Sequence, residues 1–141
     1  MTHPRAAAVL MLAFVALVAL NTRPAQALTQ YHCVVENFIG FNDDTIFKAN
    51  NKRKTFTLLV KRDEVIAFVK SREFRDYENT YRITRRGLLN IFAIGDQKSS
   101  LNTLAMPAKP RNSLNHKGYF KATIATQANH YLNTWLLRCT D

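Results

Sequence analysis

The chain has two cysteines, Cys33 and Cys139, separated by almost all of the sequence that looks foldable. If they bond, any acceptable fold must bring its first and last segments together, because bridged Cα atoms must lie within about 7 Å. Whether they bond depends on the compartment, and the amino terminus speaks to that. Arg5 precedes an unbroken apolar run of 15 residues, Ala6 to Leu20. That length suits the apolar core of a secretory signal and falls short of the ~20 residues a membrane helix needs. Asn21-Thr22-Arg23-Pro24 stops the run, and Ala25-Gln26-Ala27 has the small-x-small form of a signal-peptidase site. The sequence therefore predicts a cleaved signal over residues 1–27, a single domain over 28–141 and no transmembrane span in the mature chain. In the oxidising compartment beyond, two cysteines imply one disulfide, with a pair of buried free thiols as the alternative. The predicted location is secreted or periplasmic.

With Arg5 and Arg23 removed, the net charge falls from +10 to +8. Such an excess favours anionic partners: nucleic acid, lipid headgroups or acidic polysaccharide. Export disfavours the first of these and points to an anionic envelope component or another polyanion. The cations cluster at Lys52-Arg53-Lys54, Lys61-Arg62, Arg82 with Arg85-Arg86, and Lys109-Pro110-Arg111. Most fall in predicted turns, so they could gather at one end of the fold. Lys52, Arg53, Lys54, Arg85 and Arg86 are the candidate anion-binding residues; solvated turn cations are the plain alternative. Nearby Phe47, Tyr81 and Tyr119 are candidate stacking residues or core.

Period-two alternation dominates the rest. Phe56, Leu58 and Val60 share one face of Thr55–Lys61, and Glu64–Val69 is β-branched, so the two form a predicted hairpin. A helix from Asp63 is the competing reading. Phe120, Ala122 and Ile124 alternate against Tyr119, Lys121 and Thr123. Further strands are predicted over Gln30–Glu36 (extended to Phe41 with a bulge at Gly40), Thr45–Ala49, Asn79–Thr84, Leu88–Ile94, Leu101–Met106 and Tyr131–Cys139. For the last of these, a helix over Ala128–Leu137 is the alternative. Asn50–Lys54, Ser71–Glu78 and Arg85–Gly87 read as loops or turns, with Phe74 or Tyr77 dipping into the core. Leu88–Ile94 is apolar on both faces, which predicts a central or covered strand. Many short strands without a long helical pattern make an all-β fold: a small antiparallel barrel or sandwich, meander-like, with first and last strands joined by the disulfide.

Catalytic signals are weak. His32, His116 and His130 have no metal-ligand spacing. His116 and His130, with Lys117 or Lys121, are the only set that suggests acid–base cleavage of a phosphodiester. Glycine-rich phosphate loops and nucleophile elbows are absent, and no cofactor is implied. The Tyr31-His32-Cys33 start and the late Cys139 resemble periplasmic lysozyme inhibitors of the small-barrel type. The resemblance implies a barrel architecture and stops there. The family's Ser-Gly-x-x-Tyr inhibitory loop is missing, and a cationic chain would be repelled by a basic lysozyme. The functional expectation is a binding or structural module for an anionic partner. A small secreted hydrolase of the phosphodiesterase or nuclease type, or an inhibitor of a partner enzyme, is the alternative.

Overall fold

The computed structural model describes residues 28–41, 44–95, 97–115 and 117–141; the predicted signal lies outside them. Eight antiparallel strands close into a barrel in sequence order. They are β1 (Thr29–Gly40), β2 (Thr55–Val60), β3 (Glu64–Lys70), β4 (Tyr77–Arg86), β5 (Asn90–Gly95), β6 (Leu101–Pro107), β7 (Phe120–Ala128) and β8 (Tyr131–Thr140). One helix, α1 (Thr45–Lys52), lies between β1 and β2, and a 3₁₀ turn (Pro110–Ser113) lies between β6 and β7. Both strand-versus-helix alternatives, at Asp63 and at Ala128, resolve as strand.

Closure comes from β1 pairing with β8, with Cys33 directly opposite Cys139. The two are bonded, their Cα atoms 4.0 Å apart across 106 residues of sequence. In the chain-entropy description, a loop this long removes up to ~4.7 kcal/mol of unfolded-state freedom. The alternation predicted for the strands supplies the interior. Phe56 and Leu58 of β2, Val65, Ala67 and Val69 of β3, and Phe120, Ala122 and Ile124 of β7 all point inward and are buried. Together with Tyr81, Leu104, Met106, Trp135 and Leu137 they pack the barrel as one core.

Four expectations are corrected. Thr45–Ala49 is not a strand, and Asn50–Lys52 is not loop: both belong to α1. The Asp44 carboxylate accepts from the backbone N–H groups of Ile46 and Phe47 at 2.8 and 3.2 Å, capping two donors of the first turn. That local bond outweighs the β preference of Thr-Ile-Phe, and Phe47 docks on Phe38 at 5.9 Å between ring centroids. The bulge falls at Val35–Asn37 rather than at Gly40. The extra residue reverses the alternation, turning Phe38 into the core and leaving Ile39 exposed. Gly40 is instead a close approach, since a Cβ there would meet the Phe38 ring at 2.9 Å. Arg85 and Arg86 are the last residues of β4 rather than a turn. Finally, Leu88 and Leu89 form the β4–β5 turn, and the outward Phe92 and Ile94 of β5 are exposed. Nothing among the described residues forms a second layer over the barrel wall, so the outer face of β5 stays uncovered.

Antiparallel meander topology alternates the connections between two ends. The β1–β2 connection with α1 lies at one, the helix end, with the β3–β4, β5–β6 and β7–β8 connections. The β2–β3, β4–β5 and β6–β7 connections lie at the far end, where β1 begins and β8 finishes.

Candidate functional site

The helix end opens into a cavity of about 330 Å³. Its floor is aromatic. The Trp135 ring lies 6.1 Å from Phe56 and 5.4 Å from Phe38, both core residues. Phe74, on the β3–β4 connection, covers one side, 6.3 Å from Phe47. That connection is held by its own polar side chains: Asp76 accepts from Ser71 N–H and the Ser71 hydroxyl from Phe74 N–H, at 2.9 and 3.1 Å. Phe74 is thus a lid residue, still partly exposed, while Tyr77 opens β4 beside it.

Into this aromatic box projects Lys54. It is 7 % exposed, against the habit of lysine. Its Nζ lies 4.8 Å from the centroid of Phe74, 5.0 Å from Trp135 and 5.6 Å from Tyr77. Such contacts hold an ammonium by the negative faces of the rings. They do not replace lost hydration, and burial brings the Lys54 ammonium down to about 8 from 10.5. No carboxylate of the described residues pairs with it. The same desolvation pushes the Tyr77 hydroxyl up to about 12, so that it remains a neutral donor.

The described rim residues are polar and include no acid. Arg75 is the second cation on the cavity wall, and Asn79, Gln97, Asn102, Thr126 and Asn133 contribute amides and a hydroxyl. Part of this rim is already ordered: Asn102 Nδ2 donates to Gln97 Oε1 at 2.9 Å, and Thr126 Oγ1 donates to Asn102 Oδ1 at 2.7 Å. Two buried polar atoms on the wall have no partner among the described residues, the Trp135 Nε1 donor and the Asn51 Oδ1 acceptor. Asn51 itself is fixed by α1, donating through Nδ2 to the Phe47 carbonyl at 2.9 Å. Two cations, one indole donor and no carboxylate among the described lining residues make a cavity suited to a small anion with an apolar body.

A second, larger hollow of about 640 Å³ lies on the barrel wall beside the disulfide. His32, Lys70, Lys117 and Arg138 line it, with the hydroxyls of Thr55, Thr57 and Thr140. Arg138 sits 5.6 Å from the Tyr119 ring centroid. Its described lining, too, holds no acidic residue.

The five predicted anion-binding residues do not converge. Lys52 and Arg53 are exposed at the end of α1, and Lys54 is buried beside them at the helix end, whereas Arg85 and Arg86 lie at the far end. Gathering at one end is therefore partial: Lys61-Arg62, Arg85-Arg86 and Lys109-Pro110-Arg111 lie at or beside the connections of the far end, while Lys52-Arg53-Lys54 lies at the helix end. Of the stacking candidates, Tyr81 is core, Phe47 packs on Phe38, and Tyr119 faces Arg138. His130 is exposed on the β7–β8 turn at the helix end. His116 lies outside the described residues, and its neighbours Asn115 and Lys117 are on the β6–β7 connection at the other end. Among the described residues no three His, Cys, Asp or Glu side chains come together as a metal group. No helix among them is long and apolar enough to cross a membrane.

Lys54 carried a signal that a charge-cluster reading passes over. It shares parity with Phe56 and Leu58, so strand alternation alone turns it inward. The wall hollow had no such signal, because residues 70, 117 and 138 are brought together only by closure. Comparison with protein-family models, curated proteins and solved structures finds no match to this chain.

Proposed function

We propose that this protein is an exported binding module, secreted or periplasmic, that holds a small anionic molecule at the helix end of the barrel. The observation that carries the reading is Lys54, buried without a counter-ion among the described residues, in a cavity whose described lining holds no carboxylate. A buried ammonium costs stability, and one kept in a cleft is a mark of a working residue. In this reading the ligand's carboxylate or phosphate meets Lys54 and Arg75, its body lies on Trp135 and Phe74, and Trp135 Nε1 donates to it. The signal-like amino terminus and the Cys33–Cys139 bond support export.

Trp135 is the only tryptophan of the chain and reports directly on the cavity. Titration of the mature protein with small aromatic and aliphatic carboxylates and phosphate esters should perturb its fluorescence. Neutral amides or alcohols of the same shape should not. Equal response to charged and neutral members would reject the proposal. A second reading, a polyanion laid along the Lys70–Lys117–Arg138 hollow, has the acid-free described lining of that hollow behind it. It predicts steeply salt-sensitive retention on heparin, lost in Lys70→Ala with Arg138→Ala and kept in Lys54→Met. A phosphodiesterase or an enzyme inhibitor has less support, because the described residues bring no two histidines together and the sequence holds no Ser-Gly-x-x-Tyr segment.

A further inference from the structure

The far end of the barrel carries a feature that the cavity does not use. Leu88 and Leu89 form the tip of the β4–β5 hairpin and are 95 % and 79 % exposed. A single exposed leucine is ordinary; two adjacent ones at the summit of a tight turn are not. The turn is held rigidly. Gly87 N–H donates to the Asn90 carbonyl at 2.9 Å, and Ala108 N–H donates to the Leu89 carbonyl at 2.8 Å, tying in the β6–β7 connection. Arg86 Nη2 donates to the Arg62 carbonyl at 3.0 Å and ties in the β2–β3 turn. The three connections of this end therefore stand together. They carry Arg62, Arg85, Arg86 and Lys109 to the same end as the leucine pair, Arg86 bonded to the β2–β3 turn and Lys61 engaged by Glu64. Apolar surface continues from the tip along the outer face of β5 through Phe92 and Ile94.

We propose that this tip docks the protein on an anionic lipid surface, the leucines entering the headgroup–acyl boundary while the cations of the same end meet the headgroups. An aliphatic wedge with arginine and lysine at the same end has the composition of an interfacial anchor. The tip is convex and two residues wide, which suits a fluid surface. A stable protein interface needs a broader face, about 800 Å² per partner. The inference is independent of the cavity at the helix end.

Co-sedimentation with vesicles tests it. The mature protein should pellet with phosphatidylglycerol-containing vesicles at moderate salt and not with pure phosphatidylcholine. Leu88→Ser with Leu89→Ser should weaken binding at least about tenfold, since each leucine contributes through its buried area. Arg85→Ala with Lys109→Ala should weaken it by a smaller, salt-dependent factor. Both leucines are exposed, so the circular dichroism of that variant should match the parent, and Lys54→Met should bind vesicles as the parent does. Vesicle binding unchanged in the leucine variant, or absent in the parent, overturns the proposal. So does a dimer in sedimentation equilibrium that the leucine substitutions dissolve, which would assign the tip to a second copy of the chain.

Discussion

The two ends of the barrel treat charge and apolar surface in opposite ways. At the helix end a cation is inside, Lys54 among aromatic rings, and the polar amides form the rim. At the far end the cations are outside and the leucines protrude. A buried ammonium is a poor contributor to stability but a strong recognition element for one small anion. Surface cations are individually weak and act together on an extended anionic surface. Under the two proposals the same overall positive charge would serve two kinds of contact, separated by the length of the barrel.

The largest predicted effect separates stability from both contacts. Cys33→Ser with Cys139→Ser should lower unfolding free energy by ~2–5 kcal/mol in urea titration, because it releases a 106-residue separation in the unfolded chain. Ligand response at Trp135 should persist under native conditions, since the register from Val34–Arg138 to Gly40–Asn133 continues to hold the β1–β8 seam. Loss of the response in a protein that remains folded would tie the cavity to the bond and blur the distinction between the ends.

Lys54→Met should sharpen it. Affinity for the anionic ligand should fall about ten- to a hundredfold, while the protein becomes more stable by ~1–2 kcal/mol at pH 7, a figure discounted for the solvent that reaches the ammonium. The sign follows from proton linkage. Below about pH 8 the folded state carries a charged, poorly hydrated Lys54. Between about 8 and 10.5 the folded protein has released a proton that the unfolded chain keeps, so this residue's contribution to stability rises with pH across that window. Anion affinity should move the other way and decline above pH 8. A parallel fall of both would contradict the assignment.

Asp44→Ala should cost about 1 kcal/mol by removing the cap of α1, read by thermal melts. Its effect on ligand affinity should exceed its effect on vesicle binding, because α1 positions Asn51 and Phe47 at one end only. The smallest effect is expected from Lys52→Ala with Arg53→Ala: a few tenths of a kcal/mol in stability, and a change in ligand on-rate that high salt removes. A collapse of affinity there would move the recognition from the cavity to its exterior.

Much of the barrel was legible because strand alternation is a local signal. Phe56-x-Leu58 and Phe120-x-Ala122-x-Ile124 state their inward faces without reference to anything else. Two cysteines, once expected to bond, left few choices for the seam. The helix was hidden because Thr45-Ile46-Phe47 favours a strand by composition, and the decisive bond comes from Asp44, one residue before it. Double-sided apolarity at Leu88–Ile94 read as a covered strand because burial is its usual cause, whereas here it marks a protruding tip and a bare wall. The site was least legible. Lys54 reads as the third cation of a run, and its burial follows from parity, closure and the Phe74 lid acting together. No local pattern states how a meander distributes its turns, so Lys52–Lys54 and Arg85–Arg86 gave no sign of facing opposite ways.

The central claim is that Lys54 is a desolvated cation held for an anionic ligand. Its titration is followed most directly by NMR of the lysine ε-methylene group in the mature protein, with and without a small carboxylate that perturbs Trp135. The account predicts a midpoint near 8 in the free protein, displaced upward when the anion binds and stabilises the charged form. A midpoint at the ordinary 10.5, unmoved by the ligand, would contradict it.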